Sequence, residues 1–168
     1  MADRVAVLDV GSNSVRLMVA DISGGGVRAL RRETATTRLM EALEGGAITR
    51  EGMERTARAM QKLSALAARM GAEAVVAFGT SAMRDARNAG ELGHLAGMNI
   101  EILAGDMEAR LAYMGAAPRG SCGVIDIGGG STELIAGRDG CARHAASVNA
   151  GAVRLKIDAG DADEASLL

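Results

Sequence analysis

Aromatic side chains are almost missing from this 168-residue chain: Phe78 and Tyr113 are the only two, and there is no tryptophan. Stacking platforms for single-stranded nucleic acid are therefore not expected. Lysine is as scarce, with Lys62 and Lys156 against 17 arginines. With the abundant Ala and Gly, that bias reads as GC-rich coding rather than as function. Neither sign of charge dominates, since 19 basic side chains face 21 acidic ones for a formal charge of −2. No general affinity for nucleic acid or membrane follows from that balance. Cys122 and Cys141 are too few for a disulfide framework and lack metal-ligand spacing, so they read as small half-buried residues in neighbouring strands. His94 and His144 are isolated, which argues against a zinc site. No run of apolar residues approaches a membrane span. The N-terminus enters an apolar strand directly, without the plan of a signal peptide. A cytoplasmic protein is the expectation.

What is present is enough to fold. Hydrophobic residues make up 48% of the chain, and this length buries a real core without metal or disulfide staples. Apolar, β-branched residues 5–10 read as a buried strand, broken by the turn chemistry of Gly11-Ser12-Asn13-Ser14 and followed by a second strand over 15–22. After Gly24-Gly25-Gly26 a third, more polar strand covers 27–37. Thr49, with Glu51 and Glu54 behind it, marks a helix start. Met53, Ala57, Met60, Ala67 and Met70 then recur at helical spacing until Gly71, a stripe that reads as core filler. The spacing further predicts strands at 73–78 and 99–103, helices at 81–88, before Gly97 and at 106–114, and a break at Pro118-Arg119-Gly120. Three more strands follow at 124–127, 133–136 and 141–148. A hairpin meander followed by alternating helices and strands predicts a mixed α/β sheet covered by helices.

The most informative feature is a self-match. Val7-Leu8-Asp9-Val10-Gly11-Ser12-Asn13-Ser14 lies over Val124-Ile125-Asp126-Ile127-Gly128-Gly129-Gly130-Ser131, with Asp9 and Asp126 standing 117 positions apart. Each copy is an apolar strand carrying one Asp, a Gly/Ser turn and a second apolar strand, so the chain holds a duplicated unit. The second copy stops after its three strands, where the first still has its helices to come. The chain therefore reads as truncated. Its unfinished second meander, with apolar faces uncovered, is expected to self-associate or to lose order beyond about Arg138.

A strand that ends in Asp and enters a Gly/Ser turn offers two kinds of group at one spot. Backbone N–H groups converge there, and glycine lets an anion approach them without a Cβ in the way. The Asp repels a phosphate, so its natural partner is a hard divalent cation or a water positioned for attack. One such turn is usually an ordinary hairpin. Two in register point to phosphate binding.

Five segments then resemble the Ppx/GppA phosphatases, the exopolyphosphatases and guanosine pentaphosphate phosphohydrolases of the actin/sugar kinase/Hsp70 ATPase superfamily. They are the first loop from Asp9 to Arg16, Gly79-Thr80-Ser81-Ala82-Met83-Arg84-Asp85-Ala86-Arg87-Asn88, Ala104-Gly105-Asp106-Met107-Glu108-Ala109-Arg110-Leu111, the second loop from Val124 to Leu134, and Gly151-Ala152-Val153-Arg154-Leu155. The resemblance implies an actin-like ATPase (ribonuclease H-like) α/β domain with a mixed five-stranded sheet over 1–120, and the start of a similar domain over 121–168. It implies release of orthophosphate from polyphosphate or pppGpp, with Mg²⁺ as cofactor. Glu108 matches the catalytic general base, with Asp126 and Glu133 beside it. Ser12, Asn13, Ser14, Arg16, Arg84, Gly128, Gly129, Gly130, Ser131 and Thr132 match phosphate-binding positions. Asp9, Asp126 and Glu133 match metal positions. Met107 and Ala104 depart from the family pattern, where an acid and a Ser are usual. The partner implied is the phosphorylated substrate; the uncovered meander adds a second copy in a homo-oligomer, and the composition gives no reason to expect nucleic acid or membrane. Alternative readings are a non-catalytic nucleotide- or phosphate-binding assembly module, and a sugar or acid kinase of the same superfamily.

Overall fold

The computed structural model describes residues 3–116 and 119–160. They form two compact units, which divide between Ala104 and Gly105.

The first unit opens with the expected meander: β1 (Asp3–Val10), β2 (Ser14–Ser23) and β3 (Gly26–Thr36). Alternation does the work in β1, where Ala6, Leu8 and Val10 all turn to the same face and are fully buried. Buried Asp21 of β2 is gripped by Arg4 at 2.7 Å and by Arg28 at 2.8 Å. Those two guanidiniums, Arg4 foremost, hold its carboxyl below the usual carboxylate range.

A short 3₁₀ turn, Met40–Ala42, and a two-residue-per-strand hairpin, β4 (Leu43–Glu44) and β5 (Ala47–Ile48), come next. The sequence pattern announces no element here. Gly45 and Gly46, both at positive φ, make the tight turn between these strands. Helix α1 (Arg50–Arg69) follows, capped where expected: the Thr49 hydroxyl accepts from the Gly52 N–H at 3.2 Å. Its stripe of Met53, Ala57, Met60, Leu63 and Ala67 is buried, and the helix packs on β1 and β2. Met53 and Met60 are core filler, as expected, while Met70 is the half-buried C-cap.

Strand β6 (Ala74–Gly79), helices α2 (Ser81–Asp85) and α3 (Ala89–Ala96), and strand β7 (Ile100–Ile102) complete this unit. The sheet order is β3-β2-β1-β6-β7, antiparallel within the meander and parallel from β1 through β6 to β7. This is the mixed five-stranded sheet that the sequence predicts. Helix α2 is shorter than the expected 81–88. The chain straightens at Ala86 so that the Asn88 carboxamide can pair with both backbone groups of Ile48, at 2.8 and 3.0 Å.

The second unit begins with α4 (Gly105–Ala116), which the sequence reading had counted with the first domain, ending at 120. Its Ala109 and Tyr113 instead bury themselves on the second sheet, against Ile135, Cys122, Val124, Ala142 and Ala145. That packing moves the division to Ala104. The sheet is an antiparallel meander of β8 (Ser121–Ile127), β9 (Thr132–Arg138) and β10 (Cys141–Val148), in the order β10-β9-β8. Cys122 and Cys141 are thus separated by β9 rather than on adjacent strands, and Cys141 is exposed. Beyond Arg138 lie β10, the strand expected at 141–148, and a helix that the sequence pattern does not announce, α5 (Ala152–Ala159). The break expected at Pro118 lies outside the described residues. Among them, no helix is long and apolar enough to cross a membrane.

Candidate functional site

The duplicated turns are the same object in three dimensions. In the first loop the Gly11 N–H donates to the Ser14 carbonyl at 3.0 Å, and in the second the Gly128 N–H donates to the Ser131 carbonyl at 2.9 Å. Each loop joins two antiparallel strands, with Asp9 opposite Arg16 in one and Asp126 opposite Glu133 in the other.

Both loops are tied back through their carbonyls. In the first, Ser12 O accepts from the Met40 N–H at 2.8 Å, and Asn13 O from the N–H groups of Thr37 (2.9 Å) and Arg38 (2.8 Å). In the second, Gly128 O accepts from Ala152 N–H at 2.9 Å, and Gly129 O from Val153 and Arg154 N–H at 2.8 and 3.0 Å. Gly130 O accepts from the Arg154 guanidinium, Nε, at 2.7 Å. A trans peptide carries its C=O and N–H on opposite sides. The N–H groups of Asn13 and Ser14, and of Gly129, Gly130 and Ser131, therefore point away from the segments that hold the carbonyls. Runs of N–H groups aimed one way form the concavities that bind anions.

The side chains expected to bind phosphate divide into two groups. Asn13 and Arg16 are exposed, and Ser14 is half-buried. Ser12 is buried beneath its loop, and its hydroxyl accepts from the Ala82 N–H at 3.2 Å, which hooks the start of α2 to the turn. Arg84, on α2, is half-buried and gives one N–H to the Leu103 carbonyl at 2.9 Å. The Thr132 hydroxyl donates to the Ala150 carbonyl, so its proton serves the loop's own framework.

The acids of the second unit share one face. Glu133 on the central strand is 1% exposed and accepts from the Ser147 hydroxyl at 2.7 Å, while Asp126 on the neighbouring strand is exposed. Directly opposed like charges destabilise a sheet unless something offsets them. A hard cation does so, and Mg²⁺ takes one or two carboxylates and fills its remaining positions with water and phosphate oxygens. Asp126 and Glu133 fit that demand. Among the described residues no three His, Cys, Asp or Glu side chains gather into a cage, so no complete protein coordination shell exists there. Asp9 faces an arginine instead, and its strand pair lacks this like-charge character. Glu108 is half-buried on α4, one residue before the Ala109 that packs on the same sheet.

Gly151 and Arg154 were noted in the sequence only as part of a matching segment, without a role. A Cβ on Gly151 would lie 2.5 Å from Gly129 C, Gly130 N and Ser131 N. Only glycine lets α5 start against the loop.

The family model of the Ppx/GppA phosphatases matches residues 18–165. The chain belongs to that family. Exopolyphosphatase 1 of Mycobacterium tuberculosis is 36% identical over 90% of this chain and 47% of its own length. A Ppx/GppA relative from Pseudoalteromonas translucida, named guanosine-5'-triphosphate,3'-diphosphate pyrophosphatase, is 31% identical over 88% of this chain and 32% of its own. The solved structure of an exopolyphosphatase from Cytophaga hutchinsonii superposes with a TM-score of 0.85 at 28% identity, over 95% of this chain and 54% of that one. The Ppx/GppA fold thus bears out the expected α/β actin-like class. The chain spans about half the length of the mycobacterial and Cytophaga proteins and about a third of the Pseudoalteromonas one.

Proposed function

We propose that this chain carries the catalytic glutamate and the phosphate-binding loops of a Ppx/GppA phosphohydrolase, which releases orthophosphate from the terminal phosphoanhydride of polyphosphate or pppGpp. The observation that carries the reading is the pair of loops with identical internal hydrogen bonds and outward N–H groups. Phosphoryl transfer asks a protein for positioning and charge stabilisation more than for covalent help. N–H groups of Asn13, Ser14, Gly129, Gly130 and Ser131 would hold phosphoryl oxygens, with Arg16 and Arg84 neutralising charge. Glu108 would take a proton from a water whose oxygen attacks the terminal phosphorus. The bond from that phosphorus to the bridging oxygen breaks, and the shortened chain leaves with the bridging oxygen. Asp126 and Glu133, with Asp9 at the matching place in the first loop, would hold Mg²⁺, which supplies positive charge to the phosphate oxygens when bound. A cytoplasmic location belongs to the same proposal.

The test is orthophosphate release from long-chain polyphosphate and from pppGpp in Mg²⁺, for the chain beside its Glu108→Gln variant. Loss of about 10²- to 10⁴-fold in the variant, the usual weight of a general base, is expected. Equal release by both proteins would remove Glu108 from the chemistry. Tight polyphosphate binding by both, with release by neither, would make the chain a binding module instead.

A further inference from the structure

The second loop contains three successive glycines, Gly128-Gly129-Gly130, the residues whose peptide planes turn most freely. A loop of that kind presents its N–H groups to an anion only if something stops the planes from flipping. A flipped plane would aim a carbonyl oxygen, with its partial negative charge, at the phosphate. The restraint is visible. Backbone N–H groups at the start of α5 hold the first two carbonyls, and the Arg154 side chain reaches back to hold the third, Gly130 O, at 2.7 Å. Fixing that plane aims the Ser131 N–H outward.

The first loop solves the same problem differently. Asn13 stands where Gly130 stands, 117 positions earlier, and its carbonyl is held by two consecutive backbone N–H groups, those of Thr37 and Arg38. For both to reach one oxygen, Arg38 adopts φ +50°; only it and Asp139, in a hairpin turn, do so among the described non-glycine residues. That conformation is strained for an L-residue. The first loop is thus fixed by strained backbone and the second by a guanidinium.

We propose that Arg154 is a positioning residue for anion binding by the second loop, acting through the Gly130 carbonyl, and that Arg38 does the equivalent work in the first loop through its main chain alone. The inference rests on the reading that these loops bind phosphate. It predicts an asymmetry: loss of the Arg154 side chain weakens the second loop and leaves the first, whose carbonyl is held by backbone donors, as it was.

The experiment follows the backbone amides of Asn13, Ser14, Gly129, Gly130 and Ser131 by NMR while the chain is titrated with tripolyphosphate. Arg154→Ala is expected to weaken binding at the second loop about tenfold or more, the weight of a charge-assisted hydrogen bond, with the first loop changed less than about twofold. Its Ser131 amide signal is also expected to shift before any ligand is added, which loss of a mere surface charge would not cause. Arg154→Gln, which keeps a donor but no charge, should recover part of the affinity. If no loop amide of the parent chain responds to tripolyphosphate, the phosphate reading itself fails. If the parent responds and Arg154→Ala and Arg154→Gln respond equally well, the phosphate reading stands and the positioning role is overturned. First-loop binding weakened in Arg154→Ala as much as second-loop binding would likewise overturn the asymmetry. First-loop amides report whether a variant is still folded.

Discussion

Tyr113 is the only tyrosine of the chain, and it is fully buried between α4 and the smaller sheet. Its hydroxyl donates a long bond, 3.4 Å, to the Cys122 carbonyl. Burial, helped by the neighbouring Cys122, pushes its ionisation up from 10.0 to about 12. The folded state therefore keeps a proton that the unfolded chain gives up near pH 10. Stability from this residue is complete below about pH 10 and is lost as pH rises through about 12. Absorbance at 295 nm reports this one phenol directly. It should titrate near pH 12, and Tyr113→Phe should abolish the loss of stability across that window. Titration near pH 10 in the folded protein would show the ring to be in water. At the same scale the paired turns of the candidate site are legible, because Asp9 and Asp126 each stand just before their Gly/Ser turn. Arg154 is not, since it acts on a carbonyl 24 residues away and no local pattern announces such a bond.

Elements were legible in proportion to how far they depend on an apolar face. Helix α1 has a cap, a Met/Leu/Ala stripe and a terminating glycine, Gly71, and all three are written in the sequence. Helix α5 buries no residue at all. It is held by its first-turn N–H groups against the glycine loop, a framework that leaves no periodicity to read. Strands β4 and β5 are too short to alternate, and only Gly45-Gly46 marks them. Helix α2 stops short of Asn88, whose side chain pairs with Ile48, 40 residues away, and no local pattern announces that bond. One consequence of the α1 signals is measurable. Thr49→Ala removes the hydroxyl that accepts from the Gly52 N–H, and should cost about 1 kcal/mol. The midpoint of urea unfolding should fall accordingly; an unmoved midpoint would show the Thr49 cap to be idle.

Over the whole molecule, the two copies of the repeat differ most in what covers them. Leu8 and Leu17 in the first copy are 0% and 2% exposed beneath α1, while their counterparts 117 positions on, Ile125 and Leu134, are 66% and 45% exposed. The apolar pattern of a covered sheet face is present without its helix among the described residues. Such a face associates. The 168-residue chain should sediment as an oligomer at micromolar concentration, and Ile125→Lys with Leu134→Lys should make it a monomer. A parent chain that is already monomeric would contradict this. The duplication was readable from the sequence; the bare face followed from it. The larger sheet has a further consequence. Strand β1 must pair with β6, Val5 against Ala74, whereas the smaller sheet joins only strands that are next to each other in the chain. Contacts between distant residues form slowly, and neighbouring ones quickly. On the ribosome, β1 emerges early and must wait about seventy residues for its partner, with its apolar side open. The smaller sheet, made later, needs no such wait. Of the two sheets, the one synthesised first is thus the one that finishes folding last relative to its own appearance, and the first meander is where a chaperone would have most to do.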